Sequence, residues 1–289
     1  PTRLSSDLYT TAHKQFGNHF IQVMVGGNQE YSKITTNYAN RTNFVTNSYP
    51  TLALTTGPAT VGESTLDWAV EGLFTRINYS FKDKYLFEID SRYDGTSRFP
   101  ANSRWGIFPS ASAGWVVSRE PFFHKFSKFF TFLKVRGSYG SLGNQSSASP
   151  YAYIPTLSYN RMQMVLNSPT PGTILPYEIL PPSAPPASNL TWETASTTDF
   201  GVDMSTLDNH LQYTFDVYTR RTTNMLVPGR TLPAVFGTSS PLENAADLKT
   251  KGFDMRLSWN SGGNLLGSSF HYSISLNLAN NNAWITRFN

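Results

Sequence analysis

Apolar and polar side chains alternate with a period of two through most of the chain, the pattern of strands with one greasy and one wet face. Leu73, Thr75, Ile77, Tyr79 and Phe81 oppose Phe74, Arg76, Asn78 and Ser80. After Lys82-Asp83-Lys84 a second strand returns, with Tyr85, Phe87, Ile89 and Tyr93 on one face and Glu88, Asp90, Arg92 and Asp94 on the other. The pattern recurs at Leu133, Val135 and Tyr139 against Lys134, Arg136 and Ser138, and at Leu211, Tyr213, Phe215 and Val217 against His210, Gln212, Thr214 and Asp216. It continues at Phe253, Met255, Leu257 and Trp259 against Asp254, Arg256 and Ser258. A last arm sets Phe270, Tyr272, Ile274, Leu276 and Leu278 against His271, Ser273, Ser275 and Asn277. With weaker alternation over 4–14, 19–30, 105–117 and 196–204, the sequence predicts about ten strands. Only 121–128 suggests a helical turn, and 277–285 reads as a strand running into a loop.

Alternation alone fits both a soluble sandwich and a membrane barrel, since each has a wet and a dry face. Three features favour the barrel. The strands approach ten residues rather than the usual five or six, which fits a tilted membrane crossing. Connections alternate in length: 15–18, 82–84, 206–209 and 260–267 are short, whereas 31–66, 141–191 and 221–249 are long and rich in Ser, Thr, Asn and Pro. The connection at 95–104 is a shorter one on the long side, and 118–130 is an unusually long one on the short side. Short turns at one rim and long loops at the other are the habit of outer-membrane barrels. Aromatics also crowd the strand ends beside short turns, Tyr79, Phe81 and Tyr85 at one and Trp259, Phe270 and Tyr272 at another. Such rings suit the head-group level of a membrane. Every charge in the strands of clear alternation falls on the polar face, and a Lys or Arg in mid-bilayer would cost about 2–4 kcal/mol.

Composition narrows the function. Among 289 residues only 15% are charged and 14% are aromatic, with a formal net charge of +4. So many rings argue against disorder, and the scattered Lys and Arg form no stripe for nucleic acid. The chain has no cysteine, hence no disulfide framework, thiol nucleophile or Cys metal site. His13, His19, His124, His210 and His271 lack metal-ligand spacing. No nucleophile-elbow motif occurs, so neither an enzyme nor a cofactor is expected. Residues 1–5 carry no apolar leader, which points either to a protein that is not exported or to an internal piece of a longer one.

Three stretches are distinctive: Tyr85-Leu-Phe-Glu-Ile-Asp-Ser-Arg-Tyr-Asp-Gly-Thr-Ser-Arg-Phe99, Arg104-Trp-Gly-Ile-Phe-Pro-Ser-Ala-Ser-Ala-Gly-Trp115 and Ser118-Arg-Glu-Pro-Phe-Phe123. Leu133-Lys-Val-Arg-Gly-Ser-Tyr-Gly-Ser-Leu-Gly-Asn-Gln145, Thr191-Trp-Glu193, Phe200-Gly-Val-Asp203, Phe215-Asp-Val-Tyr-Thr-Arg-Arg-Thr-Thr-Asn-Met-Leu226 and Lys251-Gly-Phe-Asp-Met-Arg-Leu-Ser-Trp259 follow. In this order they resemble the barrel of the SusC/RagA family of TonB-dependent outer-membrane transporters of Bacteroidetes, over 68–289 and more weakly over 4–30. Asp254 stands where the family often has Glu, and 244–249 lacks the usual Asn-Gly spacing.

The resemblance implies an all-β, antiparallel transmembrane barrel segment, about ten strands of a barrel of roughly twenty-two. Residues 1–289 would then be part of one barrel domain, with the plug and the terminal strands lying outside them. It further implies import of oligosaccharides or peptides, in outer-membrane lipid, with a SusD-like surface lipoprotein and with TonB acting through the plug. A soluble carbohydrate-binding or adhesin module and a siderophore-type receptor are the competing readings. Lumen-face candidates for substrate contact are Glu88, Asp90, Arg92, Asp94 and Arg136; the row Asp90, Arg92 and Asp94, with Glu88, could instead hold a cation or brace the wall by cross-strand ion pairs. Gly137, Gly140 and Gly143 lack the context of a phosphate loop and are expected to let the strand bend into the long connection. In that connection Tyr151, Tyr153 and Tyr159 could stack on sugars or pack against a partner, or equally serve only to pack the loop, and Pro181-Pro182 and Pro185-Pro186 stiffen it.

Overall fold

In a computed structural model, ten strands form one antiparallel sheet in which every strand pairs with its neighbours along the chain. The structure describes residues 1–155, 160–164, 175–179, 185, 187, 190–265 and 268–288. The strands are β1 (Thr2–Phe16), β2 (His19–Arg41), β3 (Ala59–Phe81), β4 (Tyr85–Thr96), β5 (Trp105–Val116) and β6 (Phe130–Asn144), then β9 (Glu193–Thr206), β10 (Leu211–Pro228), β11 (Leu242–Leu265) and β12 (Ser268–Arg287). Between β6 and β9 a separate hairpin pairs β7 (Asn160–Met164) with β8 (Leu175–Ile179). The sheet is an open wall with β1 and β12 at its edges.

Local chemistry explains the short rim. Lys82 and Asp83 both have positive φ, 53° and 52°, so the β3–β4 hairpin closes tightly through the three residues 82–84, Lys84 N donating back to Phe81 O at 3.0 Å. Gly17 (φ 56°) serves the β1–β2 turn, and Leu207, Asp208 and Asn209 are all left-handed between β9 and β10. The β5–β6 connection folds differently. A 3₁₀ segment over Pro121–Phe126 is held by Glu120, whose carboxylate accepts from Tyr85 Oη (2.8 Å), Lys84 Nζ (3.0 Å) and Trp115 Nε1 (3.2 Å). These donors hold the Glu120 carboxyl below the ordinary range, Tyr85 contributing most. A row of rings runs along this rim, from His19 to Phe81 (4.6 Å), Tyr85 (6.2 Å), Trp115 (6.5 Å) and Phe122 (6.4 Å).

Several boundaries differ from the sequence reading. β2 runs on to Arg41 and β3 begins at Ala59, so much of 31–66 is paired strand and only 42–58 is loop. β10 and β11 likewise extend to Pro228 and from Leu242, which shortens the 221–249 connection. β11 continues through 260–265, and 277–285 is strand throughout, Asn280, Asn281 and Asn282 pairing with Phe253, Gly252 and Lys251. Outside the lipid a hairpin needs only its backbone ladder, so alternation fades while pairing continues. The 121–128 turn is shorter than expected and ends at Phe126.

The wall is one layer thick. Phe87, Ile89, Ile274 and Leu276 are 49%, 54%, 64% and 59% exposed, and no second sheet among the described residues covers them. A soluble sandwich would seal those positions.

Candidate functional site

The polar face of the wall carries the predicted charges. On β4, Asp90 accepts from Arg76 Nε of β3 at 2.6 Å and from Ser110 Oγ of β5 at 3.3 Å. Glu88 lies opposite Asn78 and Ser112. Arg92 grips Asp94 with Nε (3.0 Å) and Nη2 (2.7 Å), and Nη2 also reaches Asn28 of β2 at 2.9 Å. Asn28 lies across the intervening Gly72, whose missing Cβ leaves the space.

Arg136 of β6 belongs to a second cluster. Its guanidinium faces Asp203 (3.1 Å) and Asp199 (3.4 Å) on β9 and Asp216 (2.7 Å) on β10. The reach to β10 passes over Gly201, where a Cβ would sit 2.6 Å from Arg136 Cζ. Asp254 of β11 lies opposite Asp216, so this part of the wall is acidic. The two clusters are joined by the row Glu88, Ser112, Ser138 and Asp199. The structure therefore pairs Asp90 with Arg76 and Arg92 with Asp94 and Asn28, and it sets Glu88 on the same cavity as Arg136, which lies apart from the Arg92 group. Asp199 and Asp216 were absent from the candidates, although the alternation in 199–203 and 211–217 puts both on the wet face.

Above these charges, at the long-loop rim, the same face carries an apolar core. Phe99, Phe108, Leu190 and Trp192 are buried together with Ala148 and Ala187. Trp192 meets Phe99 and Phe108 edge-on at 5.4 and 5.3 Å, and its Nε1 donates to Arg104 O at 3.0 Å. Glu193 accepts from Asn144 Nδ2 (2.7 Å) and Leu226 N (2.8 Å), and Asn244 bridges the carbonyls of Thr191 and Asn224. The roots of three long connections are thereby fixed to one another. Gly143 belongs here: a Cβ would strike the Phe108 ring, so this glycine makes room for an aromatic inside a regular strand and does not bend it. Gly137 and Gly140 are also paired within β6. Tyr151 and Tyr153 lie 6.4 Å apart, with Tyr153 against the core. Tyr159, Pro181, Pro182 and Pro186 lie outside the described residues.

A family model described as a TonB-dependent receptor-like β-barrel matches residues 2–287. The chain belongs to that family. TonB-dependent receptor P3 of Formosa agariphila is 32% identical over 284 residues, 97% of this chain and 27% of that protein. TonB-dependent receptor SusC of Bacteroides thetaiotaomicron is 29% identical over 214 residues, 74% of this chain and 20% of that protein. The chain thus spans about a quarter of the curated relatives it matches. Among solved structures, the RagAB peptide importer in its open-open state superposes with a TM-score of 0.79 at 22% identity, over 98% of this chain and 30% of that one. The outer membrane transporter YddB of Escherichia coli superposes at 0.59 and 12% identity, over 96% of this chain and 33% of that one. The fold is accordingly that of a TonB-dependent barrel, and the protein is an outer-membrane protein.

Proposed function

We propose that this chain is a stretch of barrel wall, residues 1–289 of a larger receptor, that imports oligosaccharides or peptides across the outer membrane. A SusD-like surface lipoprotein would capture the ligand at the long-loop rim, and a plug from elsewhere in the receptor would be displaced by TonB. What carries this reading is the likeness to SusC along 74% of the chain, joined to an inner wall of paired charges and hydroxyls. No bond is made or broken, so no catalytic residue is assigned.

Glu88, Asp90, Arg92, Asp94 and Arg136 would form the polar lining past which the ligand moves. Asp90, Arg92, Asp94 and Arg136 are engaged in ion pairs, which suits a surface that offers hydrogen bonds without a trapping charge. The test is uptake of fluorescent malto-oligosaccharides and of a mixed peptide pool by cells carrying the full-length receptor and its neighbouring lipoprotein. Uptake of one class that stops on deletion of TonB is expected. Exclusive uptake of ferric chelates would instead establish the siderophore-type reading.

A further inference from the structure

The lipid-facing side of β9–β11 is apolar from the short turns up to Val217 and Phe253, and beyond them its chemistry changes. Arg221 of β10 lies directly opposite Lys249 of β11, and Thr219 lies between Thr198 of β9 and Lys251 of β11. These residues, with Tyr139 of β6, line a shallow outward cavity of about 570 Å³. β10 leaves the short rim at Leu211, and a tilted crossing takes about 9–11 residues, which brings it to the outer head-group level near Thr219 and Arg221.

Three cations on adjacent positions need neutralising. Arg221, Lys249 and Lys251 form no ion pair among the described residues. Of the carboxylates of the same strands, Asp199, Asp203, Asp216 and Asp254 occupy the alternate positions and face the lumen, where Arg136 engages the first three, and Asp247 of β11 is taken by Arg287 at 3.0 Å. Like charges directly opposed across a strand pair repel. Lys249 Nζ also stands 5.8 Å from the Trp284 ring, as a cation does at a membrane interface. The cavity is continuous with exposed apolar surface below it, Phe200 being 63% exposed. An occupant that puts acyl chains on that surface and an anionic head in the cavity satisfies both.

We propose that Arg221, Lys249 and Lys251 bind the phosphate of a phosphorylated glycolipid of the outer leaflet, with the hydroxyls of Tyr139, Thr198 and Thr219 donating to its phosphate and sugar oxygens. The inference rests on the apolar face meeting lipid and not on what the lumen carries.

The experiment uses the full-length receptor, delipidated in neutral detergent, with monophosphorylated lipid A and the same lipid after dephosphorylation as probes. Binding is read by native mass spectrometry. The wild type should prefer the phosphorylated lipid and lose the preference in high salt. At roughly fivefold per cation, R221Q/K249Q/K251Q should weaken phosphorylated-lipid binding on the order of a hundredfold. R220Q, a charge loss next in sequence but on the lumen face, should leave it unchanged. Folding of each variant is checked by heat-modifiable gel mobility. Equal binding of the two lipids, or an equal loss in R220Q, overturns the proposal and leaves the barrel standing. A receptor that fails to enter bilayers at all sinks both.

Discussion

Single residues decide how this wall is braced, and glycines matter as much as charges. Gly201 and Gly72 let an arginine reach beyond the neighbouring strand, so that Arg136 meets Asp216 and Arg92 meets Asn28. Gly201→Ala should therefore push Arg136 off its carboxylates and cost about 1–3 kcal/mol, as other overpacked sites do. Urea unfolding of the full-length receptor in detergent measures it, and an unchanged midpoint would refute the bracing role. Glu120 gives a pH-dependent case. Its folded pKa is depressed, so its contribution is present above the unfolded value of about 4.3 and is lost as pH falls through the folded one. Glu120→Gln should therefore unfold more readily than wild type at neutral pH and converge with it only as pH falls below the depressed folded pKa. Thermal melts across that range check the sign. The alternation put Glu88, Asp90, Arg92 and Asp94 on one face, but their partners lie on other strands, and the pairing of strands is not written in any one of them.

At the level of elements, apolar alternation marks the part of each strand that faces lipid and misses the part that stands beyond it. The β2–β3 hairpin continues past the membrane with Thr35 facing Thr65 at 3.2 Å and Tyr38 lying over Gly62. The few apolar side chains there, Ile34, Val61 and Leu66 among them, are too sparse to show a period. The core at the long-loop rim was also invisible, because Phe99, Phe108, Leu190 and Trp192 come from separate segments with no shared pattern. Trp192 stood in a recognisable Thr-Trp-Glu motif, yet its role as the keystone of three connections emerges only in three dimensions. Trp192→Ala should cost the rim about 3–5 kcal/mol of local stability. Limited proteolysis should then nick 145–191 much faster than in wild type, with the strands left intact; unchanged cleavage would show that the core does not hold the loops.

For the molecule as a whole, one face must stay free of charge and the other must satisfy its charges internally. Ile89→Lys, at mid-height on the exposed apolar side, should cost about 2–4 kcal/mol in refolding into lipid vesicles. A variant that refolds as well as wild type would mean that this face does not meet acyl chains. The sequence by itself determined the strands, their two faces, the alternating rims and hence the membrane barrel, because the bilayer imposes a period of two that no local competitor disguises. Tertiary structure alone decided which charges meet, how far the hairpins rise above the membrane, how the loops are tied at their roots and where three cations gather on the lipid side. Those features depend on strand register and loop closure, and register joins residues far apart in the chain whose partnership leaves no mark on either segment.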